Sequence, residues 1–150
     1  MKSYKIKQMK DLALKIIKIS FRDKKDKAGE PYVNHLVRVS NAVPDYGLNK
    51  ELKIIALLHD LLEDCPEWSE KSLRALFTDD IVDRVVLLTR KPDQTYHEYI
   101  TEVLKDGWVT VVKQHDLEDN MNITRLNDLT QEDFERLKKY HKAYKRIKSN

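Results

Sequence analysis

Ile54-Ile55-Ala56-Leu57-Leu58-His59-Asp60-Leu61-Leu62-Glu63-Asp64 is the stretch that decides how this chain folds. Its leucines and isoleucines predict a helix buried around most of its circumference. His59, Asp60, Glu63 and Asp64 stand where a core helix would be apolar. A buried carboxylate without a partner costs on the order of several kcal/mol, so these groups must be paired, hydrogen-bonded or bound to metal. On one helix, residues i and i+4 share a face, which sets Glu63 beside His59 and Asp64 beside Asp60. Adjacent His and Asp can then aim an imidazole nitrogen and a carboxylate oxygen at one point, which favours metal. Asn49 is the expected N-cap of this helix and Pro66 its stop.

Helical patterns extend in both directions. Ile6, Met9, Leu12, Leu14, Ile16, Ile17 and Ile19 follow the spacing of one apolar face, predicting a helix over about residues 4–20. A charged loop from Arg22 to Glu30 leads to Pro31, suited to the first turn of a second helix. That helix carries Tyr32, His35, Leu36 and Val39 along one side and ends before Pro44. Short helices are expected over about 69–77 and 80–89, the latter burying Ile81, Val82, Val85, Val86 and Leu88. Thr95 and Glu98 form a capping box that opens a helix running to Gly107. Trp108-Val109-Thr110-Val111-Val112 has the β-branched content of a strand, but no partner strand is visible, so it is read as helix. Thr130 caps the last helix, with Leu129 and Phe134 placed as a hydrophobic staple.

Composition agrees. The chain has 150 residues, 35% charged and 41% hydrophobic, which suits one folded domain over 1–150. Three glycines and four prolines are too few turn signals for a sandwich or barrel. The expectation is an all-α fold. Cys65 is the single cysteine, so no intrachain disulfide forms, in keeping with a cytoplasmic location. The N-terminus is basic, but charges interrupt any apolar run, so it is not a signal peptide, and no segment reaches the roughly 18 apolar residues of a membrane span. A net charge of +3, with lysines spread over helix faces and no interleaved aromatics, does not point to nucleic acid. Local basic clusters suit an anionic small molecule.

One helix offers few ligands, so others must come from elsewhere. His35 lies on an otherwise apolar face, and Asp116 shares a helix face with Val112 and Asn120. Alone, the first would be a satisfied core histidine and the second a surface ion pair. Together with His59 and Asp60 they come from three helices, which is how a bundle builds a metal site in its core.

The set His35…His59-Asp60…Asp116 resembles the H…HD…D signature of the HD-domain phosphohydrolases. Residues Lys27-Ala28-Gly29-Glu30-Pro31-Tyr32-Val33-Asn34-His35 are similar to the KxGEPYxxH opening of the hydrolase domain of RelA/SpoT-like proteins. Ala56 to Asp64 resembles their ALLHDxxED, and Val112 to Met121 their VKxxDxxxNM. The likeness implies an all-α HD-domain helical bundle holding one divalent metal ion, manganese first, on His35, His59, Asp60 and Asp116. It implies removal of pyrophosphate from the 3′ position of guanosine tetra- and pentaphosphate, with Glu63 and Asp64 acting on the attacking water. Lys27, Asn120 and Tyr140 would contact the nucleotide, and Lys24 and Lys25 would add charge for its phosphates. Arg90 and Tyr96 lie in a segment similar to small bacterial hydrolases of this type, without an assigned role. No synthetase segment is expected, so the likeness is to a stand-alone hydrolase.

There are departures. Phe21 and Lys24 fill places where many relatives have His and Gln, and Lys113-Gln114-His115 replaces a common Lys-Leu-Ala. His115 lies about 100° round the helix from Asp116 and should point elsewhere. Two alternatives stay open: a phosphohydrolase of another nucleotide or phosphorylated cofactor, and a non-catalytic nucleotide-binding module.

Overall fold

The computed structural model describes residues 2–45 and 50–150, so the expected cap at Asn49 lies outside the described residues. Helix α1, Lys2–Ser20, buries Ile6, Ala13, Ile16 and Ile17, and Phe21 closes its end inside the core. Ile19, placed by periodicity on the apolar side, is instead 64% exposed. Helix α2, Val33–Ala42, turns His35, Leu36 and Val39 inward. It begins later than Pro31 suggested. Pro31 instead pairs with Lys25 in an antiparallel bridge that closes a small loop. Gly29 turns that loop with φ +83°, a left-handed conformation that suits glycine. The Asp26 carboxylate accepts from the Ala28 and Glu30 amides, fixing the loop that carries Lys25 and Lys27.

The central stretch is not one helix. Helix α3, Glu51–Leu58, stops before His59, and a separate turn, α4, runs Leu61–Asp64. Asp60 sits between them at φ −104°, ψ 0°, in the bridge region. The expectation of one continuous helix to Pro66 is corrected here. No glycine or proline marks the break, and the apolar run crosses it unbroken. What replaces the helical ladder is a side-chain bond, His59 Nδ1–H to the Ala56 carbonyl at 2.6 Å. The six residues that α3 buries, Leu52 and the run Ile54 to Leu58, belong to a helix packed against α1, α2, α6 and α8.

Helices α5 (Glu70–Arg74) and α6 (Asp79–Leu87) follow, with Ile81, Val82, Val85 and Leu88 in the core. Helix α7, Tyr96–Val103, opens with the expected Thr95–Glu98 capping box but ends four residues before Gly107. Gly107 is not a terminator. Asp106 accepts from the Trp108 and Val109 amides, so a new helix, α8, starts at Gly107 and runs to Asn120. Trp108–Val112 is therefore helical, as read. After a 3₁₀ turn at Ile123–Arg125, helix α9 spans Gln131–Lys148, capped by Thr130. Leu129 and Phe134 remain 46% and 49% exposed, so the expected staple covers little.

The bundle is all-α among the described residues apart from the one bridge. No helix of the described residues is long and apolar enough to cross a membrane. Helix α8 packs against α2, α3, α6, α7 and α9, and so brings Asp116 to the residues of α2 and the α3–α4 break.

Candidate active site

Four donors from three chain segments converge. His35 comes from α2, His59 and Asp60 from the α3–α4 break, and Asp116 from α8; one ligand atom of each lies within 4.8 Å of all the others. Around Asp116 Oδ1, His35 Nε2 lies at 3.0 Å and His59 Nε2 at 3.2 Å. Asp60 Oδ2 lies 3.7 Å from His35 Nε2 and 3.2 Å from His59 Nε2. Donors bound to one divalent ion lie at most about 4–5 Å apart across it, so this set fits such an ion.

The outer hydrogen bonds support that fit. His59 Nδ1 meets a carbonyl, which can only accept, so the ring carries its proton there and leaves the Nε2 lone pair facing the cluster. His35 Nδ1 meets Asp119 Oδ2 at 2.6 Å, with the same consequence. Asp119 is held in turn by Arg38 at 2.8 and 3.1 Å and by Arg125 at 3.4 Å. Tyr32 donates its hydroxyl to Asp60 Oδ2 at 2.7 Å. On Asp116, Lys113 Nζ takes Oδ2 at 2.8 Å and Asn120 Nδ2 donates to Oδ1 at 2.9 Å. Two imidazoles and two carboxylates suit several divalent transition ions.

Without an ion, protons balance the charge. Burial pushes His35 down, but hydrogen bonds to Asp116 and Asp119 outweigh it and lift the imidazole to about 9. Burial also opposes protonation of His59, yet Asp60 and Asp116 hold it well above its ordinary value. Asp116 is held well below the carboxylate range because Lys113, His59 and His35 outweigh its burial. The raised His35 value stabilises the ion-free fold fully below about pH 6.5, and that stability is lost as pH rises toward about 9; His59 shifts in the same direction. An ion must displace the same protons, so its affinity should rise over the same window. Melting curves in chelator should fall from pH 6.5 to 9, while curves with manganese should hold, and the gap should widen. Manganese affinity that stays flat across this range would contradict the protonation scheme.

His35, Asp60 and Asp116 of the cluster line a cleft of about 570 Å³. Glu63 and Asp64, and the expected nucleotide contacts Lys24, Lys25, Lys27, Asn120 and Tyr140, all line it. Burial raises the Glu63 carboxyl first, followed by the charges of Asp60 and Asp64. Asp64 is bound to Lys24 at 2.7 Å, and that ammonium also lies 4.2 Å from the Tyr32 ring centroid. Phe21 stacks on the same Tyr32 at 5.5 Å, which accounts for the aromatic at this position. His115 faces away and pairs with Glu118 at 3.1 Å.

Several wall residues had no role at the sequence level. Arg90, Tyr96, Lys113, Arg136 and Lys139 line the cleft, as do Arg38, Asp119 and Arg125. A helical signal for two of them was present. Asp119 stands three residues after Asp116 and Arg38 three after His35, each on its partner's face.

A family profile described as the HD domain matches residues 13–98. A guanosine-3′,5′-bis(diphosphate) 3′-pyrophosphohydrolase of Haemophilus influenzae is 33% identical over 105 residues, 63% of this chain and 15% of that protein. A probable GTP pyrophosphokinase of Mycobacterium leprae is 31% identical over 108 residues, 66% of this chain and 14% of that protein. The chain thus spans 14–15% of the length of these curated relatives. Among solved structures, a metazoan ortholog of SpoT that hydrolyzes ppGpp aligns with TM-score 0.75 and 22% identity, over 93% of this chain and 84% of that one. That likeness establishes the shared fold.

Proposed function

The chain belongs to the HD-domain family, and from that premise we propose that it is a metal-dependent phosphohydrolase removing the 3′-pyrophosphate of guanosine tetra- and pentaphosphate. The observation that carries this is the cluster of His35, His59, Asp60 and Asp116, with both Nδ1 atoms already bonded, three of whose members line a cleft rich in lysine and arginine. The names of the relatives supply the substrate class. We assign the four residues as ligands of a divalent ion, manganese first, within a single hydrolase domain over 1–150. When bound, such an ion polarises a phosphoryl oxygen and makes a nearby water more acidic.

The chain's own residues divide the remaining work. Glu63 accepts the proton of the attacking water, its raised affinity for protons suiting it to that exchange. Asp64, tied to Lys24, helps to orient that water from the cleft wall. The water oxygen joins the phosphorus next to the 3′ oxygen, the bond between them breaks, and the 3′ oxygen leaves with a proton. Lys25, Lys27 and Tyr140 face the nucleotide, and Asn120 fixes Asp116 while reaching the same space.

Purified protein with manganese should convert guanosine tetraphosphate to GDP and pyrophosphate in equal amounts. A panel of other nucleotides and phosphorylated cofactors run alongside decides the substrate. If guanosine tetraphosphate stays intact while another phosphoester is cleaved, the substrate assignment fails and the broader phosphohydrolase remains. Tight nucleotide binding with no turnover of any compound would leave a binding module.

A further inference from the structure

Tyr96 Oη is the one buried side-chain polar atom without a hydrogen-bond partner among the described residues. Buried polar groups are almost always bonded, and an orphaned one weakens the fold that contains it. Beside it stands a second unused donor set. Lys113 is buried, its ammonium carries three N–H donors, and one partner is found for them, Asp116 Oδ2 at 2.8 Å. That ammonium lies 6.0 Å from the Tyr96 ring centroid and 5.2 Å from that of Tyr99. Tyr99 has no spare proton, since its hydroxyl donates to the Leu88 carbonyl at 2.7 Å. Tyr96 and Lys113 both line the cleft, on the side of Asp116.

We propose that the Tyr96 hydroxyl and the Lys113 ammonium form a two-donor site for one phosphoryl oxygen of the bound substrate, next to the His35–His59–Asp60–Asp116 cluster. The class of ligand rests on the phosphoester function proposed above. The site itself rests on donors that the free protein leaves unused. Burial pushes the Tyr96 phenol up to about 12, so it stays a neutral donor across the working range of pH. An oxygen with negative charge answers both groups at once, because hydrogen bonds to charged acceptors are the strong ones. Tyr96 Oη is sealed from solvent in the free chain, so a shift of the cleft wall accompanies the bond to the ligand oxygen. The Lys113–Asp116 bond places this oxygen beside the four-donor cluster.

Tyr96→Phe is the decisive variant, because it removes the hydroxyl and leaves the ring. Inorganic pyrophosphate is the probe, titrated calorimetrically into manganese-loaded protein. The parent should bind it, and Tyr96→Phe should bind about tenfold or more weakly. The melting temperature of the free variant should equal or exceed that of the parent, since an unpaired buried group has been deleted. A purely structural tyrosine would lower the melting temperature and leave affinity alone. Equal affinities, or no measurable binding by the parent, overturn the proposal. Lys113→Arg, which keeps charge but moves the donors, should also weaken pyrophosphate binding while retaining manganese; unchanged binding would remove Lys113 from the site. Turnover of guanosine tetraphosphate by the parent is scored separately. If it fails while the Tyr96→Phe affinity loss holds, the substrate assignment falls and the two-donor site stands.

Discussion

Asp60→Ala is expected to leave the purified protein without its divalent ion and to bring guanosine tetraphosphate hydrolysis down to background. Asp60 Oδ2 stands 3.2 Å from His59 Nε2 and 3.7 Å from His35 Nε2, so its removal opens one side of the cluster. Losing an outer partner of a bound ion typically lowers affinity about 10–100-fold, and losing a direct donor should exceed that. The fold should survive in ion-free buffer. Asp60 and Asp116 repel each other, which offsets part of the attraction that Asp60 exerts on the two histidines. The Tyr32 hydroxyl loses its acceptor, a smaller defect at a solvent-accessible wall. Metal analysis, turnover and circular dichroism on the same sample decide the matter. Full metal content with normal turnover would show that Asp60 is not a ligand, and an unfolded variant would shift the test to Asp60→Asn.

Glu63→Gln is expected to keep the ion and lose the rate. Gln matches Glu in size, cannot take a proton at working pH, and stands outside the four-donor cluster. Removing a general base typically costs about 10²–10⁴ in kcat. Burial and the charges of Asp60 and Asp64 raise the Glu63 carboxyl in the ion-free chain, and a cation on Asp60 would oppose that shift, so the acid limb of the parent's pH–rate profile should move when the ion is changed. Activity should appear as pH rises through that limb, as Glu63 loses its proton, and the limb should vanish in Glu63→Gln. A variant with parental kcat and the same limb would remove Glu63 from the mechanism.

Much of this site could be read from the sequence because its parts are local. The helix caps at Thr95 and Thr130, the inward face holding His35, and the Asp116–Asn120 spacing each depend on residues a few positions apart. The interruption at His59–Asp60 could not be read that way. The hydrophobic run crosses it without a glycine or proline, and the contact that replaces the helical ladder is a ring nitrogen on a carbonyl. Asp119 was passed over because its partners, His35 and Arg38, lie 84 and 81 residues earlier in the chain. Tyr96 and Lys113 were missed for a related reason. A hydroxyl without a partner is defined by everything that surrounds it, and no spacing along the chain encodes that.

The order in which the chain is made constrains when the site can exist. His35, His59 and Asp60 leave the ribosome well before Asp116, which lies 81 residues after His35. A growing chain that ends before α8 can present three of the four donors but has no fourth to close the ring. An ion held by all four donors would therefore be captured firmly only after α8 has been translated. Loading of such an ion would then be a late checkpoint on newborn copies, and products truncated before α8 would lack the Asp116 donor.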